Sequence, residues 1–155
     1  MKTNEEYSIK HLNKDLSYKV YKRCKPDLKI KHCYNNTFHV VQHYNNKFVD
    51  GTWKVVYGYV RVFDDMNVFC KHAFILDDSD TVIDATLFIK STQYPYDYGD
   101  VKDREYIIMK MFESLDEYIL ALEEADGYPD LFQYLRDYEM NMYKWAEEQG
   151  YLLCG

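Results

Sequence analysis

Residues 70–86 read CKHAFILDDSDTVIDAT. The first part is apolar enough for a strand, the aspartates and serine that follow are typical of a tight turn, and β-branched residues supply a return strand. Side chains alternate along a strand. A turn centred near Ser79 therefore places Val82 opposite Leu76 and makes Asp84 the diagonal neighbour of His72 on one face. A carboxylate there accepts a hydrogen bond from one ring nitrogen and leaves the other free to act as a base.

A histidine–carboxylate pair of this kind needs a nucleophile, and Cys33 is the upstream candidate. The apolar spacing of residues 33–44 predicts a helix. A cysteine in the first turn of a helix lies among unsatisfied N–H groups at the positive end of the helix dipole, and both favour the thiolate. The basic residues Lys29, Lys31 and His32 either form a solvated loop or add to this stabilisation.

Four short segments around these residues resemble the transglutaminase-like branch of the papain-like cysteine enzymes. They are CYNN at 33–36, YGYV at 57–60, HAF at 72–74 and VIDAT at 82–86. The resemblance implies an α+β fold in which a helix that begins at the cysteine packs on a small antiparallel sheet, followed by C-terminal helices. It also implies a catalytic triad of Cys33, His72 and Asp84. The chain departs from the family pattern at Ala85, where proline is common, and at Phe74, where tryptophan is common.

The other predicted elements surround this hairpin. Residues 53–63 are apolar on both faces and predict a central strand, in which Gly58 is expected to let the Cys33 helix approach the sheet closely. A helix is predicted over residues 3–22, with Thr3 and Glu6 as a capping box. The remaining predictions are a turn-rich break at 45–51, a strand at 106–112, a helix that starts at Ser114, and a last helix at 129–149.

Three residues are candidates for binding the substrate. Asn36 lies one helical turn after Cys33, where it holds the substrate or orients the histidine, or else has a surface or capping role. Tyr94 and Tyr96 lie in a stretch rich in Tyr, Asp and Gly that is too polar for a core and too aromatic for a plain linker. That stretch predicts either a substrate-lining loop or an ordinary surface loop.

Four cysteines are present, and no two of them form a C-x-x-C pair. In a cytoplasmic protein free thiols are expected rather than disulfides. Cys24, Cys70 and Cys154 are interpreted as small buried hydrophobic residues. Cys70 shares the strand face of His72 and is the alternative nucleophile to Cys33.

Composition limits the class of protein. With 155 residues, of which 47% are hydrophobic, the chain suits one globular domain over residues 1–155. The net charge of -7 argues against a nucleic-acid-binding protein. There is no apolar run long enough to cross a bilayer and no signal-peptide core, so a cytoplasmic location without a membrane partner is expected. His39 and His43 have metal-binding spacing but lack the glutamate of the zinc-protease pattern, so neither a metal nor a cofactor is expected.

The predicted function is that of a cysteine-nucleophile acyl-transfer enzyme acting on an amide bond of a protein or peptide, as a peptidase, amidase or deamidase. The alternative is a non-enzymatic, acidic binding or inhibitor protein that keeps the fold, for which a phage or mobile-element origin would fit. Thiol reactivity separates the two, because an enzyme has one fast cysteine and a binding protein has four ordinary ones. The oligomeric state is left open.

Overall fold

A mixed β-sheet forms the centre of the protein. The structure is a computed structural model that describes residues 7–62, 65–89 and 101–155, and within these ranges the sheet has six strands. They are β1 (Ile9–His11), β2 (Lys54–Arg61), β3 (Val68–Leu76), β4 (Val82–Ile83), β5 (Glu105–Met111) and β6 (Leu152–Cys154). Five strands are antiparallel in the order β1-β5-β2-β3-β4, and β6 runs parallel to the first part of β3.

Helices pack around this sheet, which makes the protein α+β. They are α1 (Lys14–Cys24), α2 (Cys33–His43), α3 (Asn45–Val49), α4 (Leu115–Glu124) and α5 (Arg136–Gln149), with single 3₁₀ turns at Lys25–Asp27 and Ala85–Phe88. Local chemistry explains several boundaries. The side chain of Asn13 accepts the Leu16 N–H before α1, and that of Ser114 accepts the Glu117 N–H before α4. Gly150 ends α5 in the left-handed conformation. None of the helices in the described ranges is long and apolar enough to cross a membrane.

β2 is the buried central strand that its composition predicts. It lies between β3 and β5, and its six inner residues are all buried. Val55 and Tyr57 belong to the larger of two hydrophobic cores, while Val56 and Val60 belong to the smaller core on the other face. The alternation of side chains along the strand therefore divides the core into two layers.

Gly58 has a different role from the one expected. It lies opposite His72 of β3, at a point where the register between β2 and β5 shifts. A Cβ atom at Gly58 would overlap the carbonyl oxygen of Ile107 in β5. The prediction that this glycine makes room for the Cys33 helix is therefore wrong, because the close approach is between neighbouring strands.

The hairpin of β3 and β4 has the predicted register. Leu76 pairs with Val82, and the Asp77 carboxylate accepts hydrogen bonds from the backbone and hydroxyl groups of Thr81 across the turn. The return strand is shorter than expected, since the chain leaves the sheet after Ile83 and enters a 3₁₀ turn. Asp84 is the first residue after the strand.

The cysteine prediction is wrong for two of the four residues. Cys70 and Cys154 are register partners in β3 and β6 and form a disulfide across 84 residues of sequence. Free thiols remain at Cys24, which is buried, and at Cys33, which is partly exposed. Cys70 is therefore not available as an alternative nucleophile.

Three further boundaries differ from the predictions. The helix predicted over residues 3–22 begins only at Lys14, because residues 9–11 form β1 and pair with β5. The capping box predicted at Thr3 and Glu6 lies outside the described residues. The last helix begins at Arg136 rather than near residue 129, and the break at 45–51 contains the short helix α3. The sheet is mixed rather than purely antiparallel because β6 joins it.

Candidate active site

His72 and Asp84 form a buried pair at the end of the hairpin. His72 Nε2 donates to Asp84 Oδ2 at 2.7 Å, and the two residues are only 9% and 2% exposed. The pairing agrees with the predicted alternation of side chains in the hairpin. Because Leu76 pairs with Val82, the side chains of His72 and Asp84 lie on one face of the sheet. A hydrogen bond of this length between a buried imidazole and a buried carboxylate fixes the orientation of the ring. It leaves the other ring nitrogen, Nδ1, to interact with a different group.

Two other elements hold Asp84 in place. Tyr106 of β5 donates its hydroxyl to the same oxygen, Oδ2, at 2.8 Å. The backbone N–H of Asp84 donates to Ser17 Oγ of α1 at 3.0 Å. The side chain and the backbone of Asp84 are thus fixed by separate parts of the fold. Neither partner was predicted from the sequence, since nothing in their local pattern distinguishes them from ordinary core residues.

Tyr106 is a hydrogen-bond donor that stays protonated. Its ring is fully buried and packs against Phe74, with ring centroids 4.9 Å apart. Burial and the charge of Asp84 raise the pKa of Tyr106 well above its ordinary value. The hydroxyl therefore keeps donating to the carboxylate over the whole physiological pH range.

Cys33 is the first residue of α2 and carries a partly exposed free thiol. The thiol lies close enough to His72 to contribute to the raised pKa of the imidazole. Because Nε2 is bound to Asp84, Nδ1 is the ring nitrogen left for a contact with the sulfur. The structure therefore brings together all three residues of the predicted triad, in the order thiol, imidazole and carboxylate.

The pKa of His72 reflects this position between two acidic groups. Burial acts to lower the pKa, but the charge of Asp84, its hydrogen bond and the interaction with Cys33 together raise it to about 10. His72 is therefore a charged imidazolium at neutral pH. A cationic ring therefore lies close to the sulfur of Cys33.

A break in the edge of the sheet makes room for this contact. On the side of β3 away from β2, β6 pairs up to Cys70 and β4 pairs from Ile75 onward. Between these two points no strand of the described residues covers β3, and His72 lies in this gap. The first turns of α2 lie beside it, since Asn36 and Asp84 line the same small cavity of about 10 Å³.

The predicted substrate residue Asn36 is engaged inside the protein. Its side chain accepts the N–H of Lys29 at 2.9 Å and donates to the Lys29 carbonyl at 2.8 Å and to Thr86 Oγ1 at 3.1 Å. Asn36 is buried and ties the loop before Cys33 to the segment after Asp84. A contact with substrate stays a prediction for Asn36. Tyr94 and Tyr96, the other two candidates, lie outside the described residues.

His39 and His43 have partners within the protein. His39 Nδ1 lies 3.2 Å from Gln42 Oε1, and His43 Nε2 lies 2.7 Å from Asp27 Oδ2. Within residues 7–62, 65–89 and 101–155, no group of three or more His, Cys, Asp or Glu side chains is arranged to hold a metal ion.

Comparison with known proteins does not assign the chain. No protein-family model, no curated protein and no solved structure matches it.

The raised pKa of His72 predicts a pH-dependent stability. The folded protein keeps the His72 proton up to pH about 10, whereas the unfolded chain releases it near the ordinary value of 6.5. The contribution of this group is therefore fully present below pH 6.5 and is lost as the pH rises toward 10. We expect the free energy of unfolding, measured with urea, to fall between pH 6.5 and 8.5.

The matched control for this prediction is His72→Gln, which removes the titrating group. Its stability should change less over the same interval than that of the wild type. The quantity to compare is the free energy of unfolding of the wild type minus that of His72→Gln. If this difference is constant or rises between pH 6.5 and 8.5, His72 is not charged in the folded protein.

Proposed function

We propose that the protein is a cysteine-nucleophile enzyme that cleaves amide bonds through Cys33, His72 and Asp84. The observation that carries this proposal is the buried His72–Asp84 hydrogen bond, with a free thiol at a helix start close to the same ring. A histidine that only fills the core does not need both a carboxylate and a thiol as neighbours. A catalytic triad needs both, because the thiol is the nucleophile, the imidazole carries the proton and the carboxylate orients the imidazole.

In the proposed first step, the Cys33 sulfur attacks the carbonyl carbon of the amide and forms a C–S bond. The backbone N–H at the start of α2 is positioned to donate to the developing oxyanion. The imidazolium of His72 gives its Nδ1 proton to the leaving nitrogen, the C–N bond breaks, and a thioester remains on Cys33. Asp84 stabilises the charged ring before the transfer and holds its orientation afterwards.

In the second step, His72 takes a proton from water, and the resulting hydroxide attacks the thioester carbon. The C–S bond breaks, the acid product leaves, and the thiolate–imidazolium pair is restored. Transfer to an amine would replace water by the amine in this step. Hydrolysis is the proposed outcome, because no second-substrate site is evident from the sequence.

We also propose that the fold is papain-like. A helix that begins at the nucleophilic cysteine, packed beside a sheet whose successive strands carry the histidine and the aspartate, is the arrangement implied by the resemblance to papain-like and transglutaminase-like enzymes. The positions of α2, β3 and β4 support this assignment. The proposed substrate is a protein or peptide, and the cytoplasmic location stays a prediction.

Selective alkylation of Cys33 tests the proposal without knowledge of the substrate. We expect iodoacetamide to modify Cys33 first at pH 6. Cys24 should react far more slowly, because burial raises its pKa to about 11, and Cys70 and Cys154 are joined to each other. Rates are read for each cysteine-containing peptide by mass spectrometry.

A Cys33→Ser variant is the control, since it should lose the fast phase of alkylation and keep the slow one. If Cys24 reacts as fast as Cys33, or if Cys33 reacts at the rate of an ordinary exposed thiol at every pH, the enzyme proposal fails. The acidic binding protein would then be the better interpretation.

A further inference from the structure

The segment that leads into the Cys33 helix is basic, although the protein is acidic. Residues 19–32 contain six lysine or arginine residues and one acidic residue, whereas the whole chain has a net charge of -7. Oδ2 of the acidic residue, Asp27, lies 2.7 Å from Nε2 of His43. Positive charge is therefore concentrated in one short segment, which ends where α2 begins.

Two lysines of this segment, Lys29 and Lys31, lie close to the proposed nucleophile. The N–H and the carbonyl of Lys29 are both bound to the side chain of Asn36, about one helical turn after Cys33. Lys31 precedes Cys33 by two residues. Because consecutive Cα atoms are about 3.8 Å apart, the Cα atoms of these two residues lie within about 8 Å of each other. Both lysines are exposed and the thiol of Cys33 is partly exposed, so a substrate that reaches the sulfur also comes near the lysines.

The charges of Lys29 and Lys31 are not neutralised by the protein. In the part of the chain that the structure describes, no carboxylate forms an ion pair with either lysine. By contrast, Nζ of Lys54 lies 2.9 Å from Oε2 of Glu113. The field of an exposed charge extends over a Debye length of about 8 Å at physiological ionic strength. The two lysines therefore give the approach to Cys33 a positive potential.

We propose that Lys29 and Lys31 bind an acidic side chain of the substrate, so that the site selects a peptide segment with aspartate or glutamate two or three residues from the attacked amide. An extended peptide advances about 3.3 Å per residue, and two or three residues therefore span about 7–10 Å. This length is comparable with the separation between Lys31 and Cys33. The inference rests on the proposed function of Cys33, since it names the substrate class of the same site.

The expected preference is opposite to the one that the rest of the protein favours. A protein with a net charge of -7 repels an anionic substrate. Asp130 is also one of the charges that raise the pKa of Tyr34, the residue after Cys33. Without the two lysines, the surroundings of Cys33 would therefore disfavour an acidic peptide, and the sign of the charge preference reports on Lys29 and Lys31.

Peptide vinyl sulfones, which alkylate a nucleophilic cysteine, test the proposal. The three probes are acetyl-Glu-Glu-Ala-vinyl sulfone, acetyl-Gln-Gln-Ala-vinyl sulfone and acetyl-Lys-Lys-Ala-vinyl sulfone. We expect the Glu-Glu probe to modify Cys33 about fivefold faster than the Gln-Gln probe, as one or two solvent-exposed ion pairs allow. The Lys-Lys probe should be the slowest. The ratios should approach one at high salt, where surface charges are screened.

The double variant Lys29→Gln with Lys31→Asn should abolish the advantage of the Glu-Glu probe over the Gln-Gln probe. Asparagine is chosen because Lys31 has a φ of 63°, in the left-handed region that asparagine tolerates. The control variant Lys47→Gln with Lys144→Gln removes the same charge from exposed lysines of α3 and α5 and should keep the wild-type ratio. Adducts on Cys33 are followed by intact mass and peptide mapping.

A ratio of two probe rates does not depend on how far the thiol is ionised, because all probes attack the same sulfur. Iodoacetamide, which is uncharged, is the reference electrophile in all variants. If Cys33 reacts rapidly with iodoacetamide but the Glu-Glu probe is no faster than the Gln-Gln probe, or if its advantage survives in the double variant, the two lysines do not select the substrate and the enzyme proposal stands. If Cys33 shows no enhanced reactivity toward iodoacetamide, the enzyme proposal fails and the inference fails with it.

Discussion

Replacing Asp84 by alanine should lower the free energy of unfolding by about 3–5 kcal/mol at pH 7, the usual effect of removing one partner from a buried ion pair. The substitution leaves a buried His72 ring without its carboxylate and a buried Tyr106 hydroxyl without its acceptor. Both groups lose their compensation for being removed from water. Urea unfolding followed by tyrosine and tryptophan fluorescence measures the change.

Two further variants provide reference values for the loss of stability in Asp84→Ala. Tyr106→Phe removes one donor and keeps the charged pair, so it should lower the free energy of unfolding by about 1–3 kcal/mol. Asp78→Ala changes an exposed aspartate in the same hairpin and should stay within about 0.5 kcal/mol of the wild type. If Asp84→Ala is no more harmful than Asp78→Ala, the pair is not an ionised and buried one.

Replacing His72 by alanine should slow the alkylation of Cys33 by about tenfold or more at pH 5.5. The variant loses the imidazolium, whose positive charge stabilises negative charge on an attacking sulfur. Iodoacetamide rates on the Cys33 peptide, measured from pH 5 to 8.5, test the prediction.

The shape of the pH profile is more diagnostic than a single rate. The wild-type profile should differ in shape from that of His72→Ala, because only the wild type carries the titrating imidazole close to the sulfur. His39→Ala is the matched control on the Cys33 helix and should keep the wild-type profile. Parallel profiles for wild type and His72→Ala would remove His72 from the site.

The site could be anticipated from sequence because its main contacts are local. The alternation of residues along β3 and the run of turn residues fix which side chains share a face, so the pairing of His72 with Asp84 follows from counting. The start of α2 at Cys33 follows from the apolar spacing of the segment that it opens. Both features depend on fewer than twenty consecutive residues.

The features that were missed depend on residues far apart in the sequence. Tyr106 donates to Asp84 only because β5 pairs with β2, on the edge of β2 opposite β3. Cys154 meets Cys70 only because β6 returns to β3 in parallel, and no local pattern indicates a parallel partner. Residues 9–11 form a strand rather than a helix because β5 offers them an edge. Tertiary pairing decided each of these cases against local propensity.

The strand order also sets the sequence of events in folding. β5 lies between β1 and β2 in the sheet, although it follows both of them, and the whole hairpin, along the chain. His72 and Asp84 are 12 residues apart and belong to a hairpin that forms within microseconds, whereas the pairing of β1 with β5 must close a loop of most of the chain. We therefore expect the contact between His72 and Asp84 to form early in folding but to remain exposed to solvent until β5 pairs with the sheet. A nascent chain that has not yet placed Tyr106 over Asp84 should carry the three reactive groups without their catalytic environment.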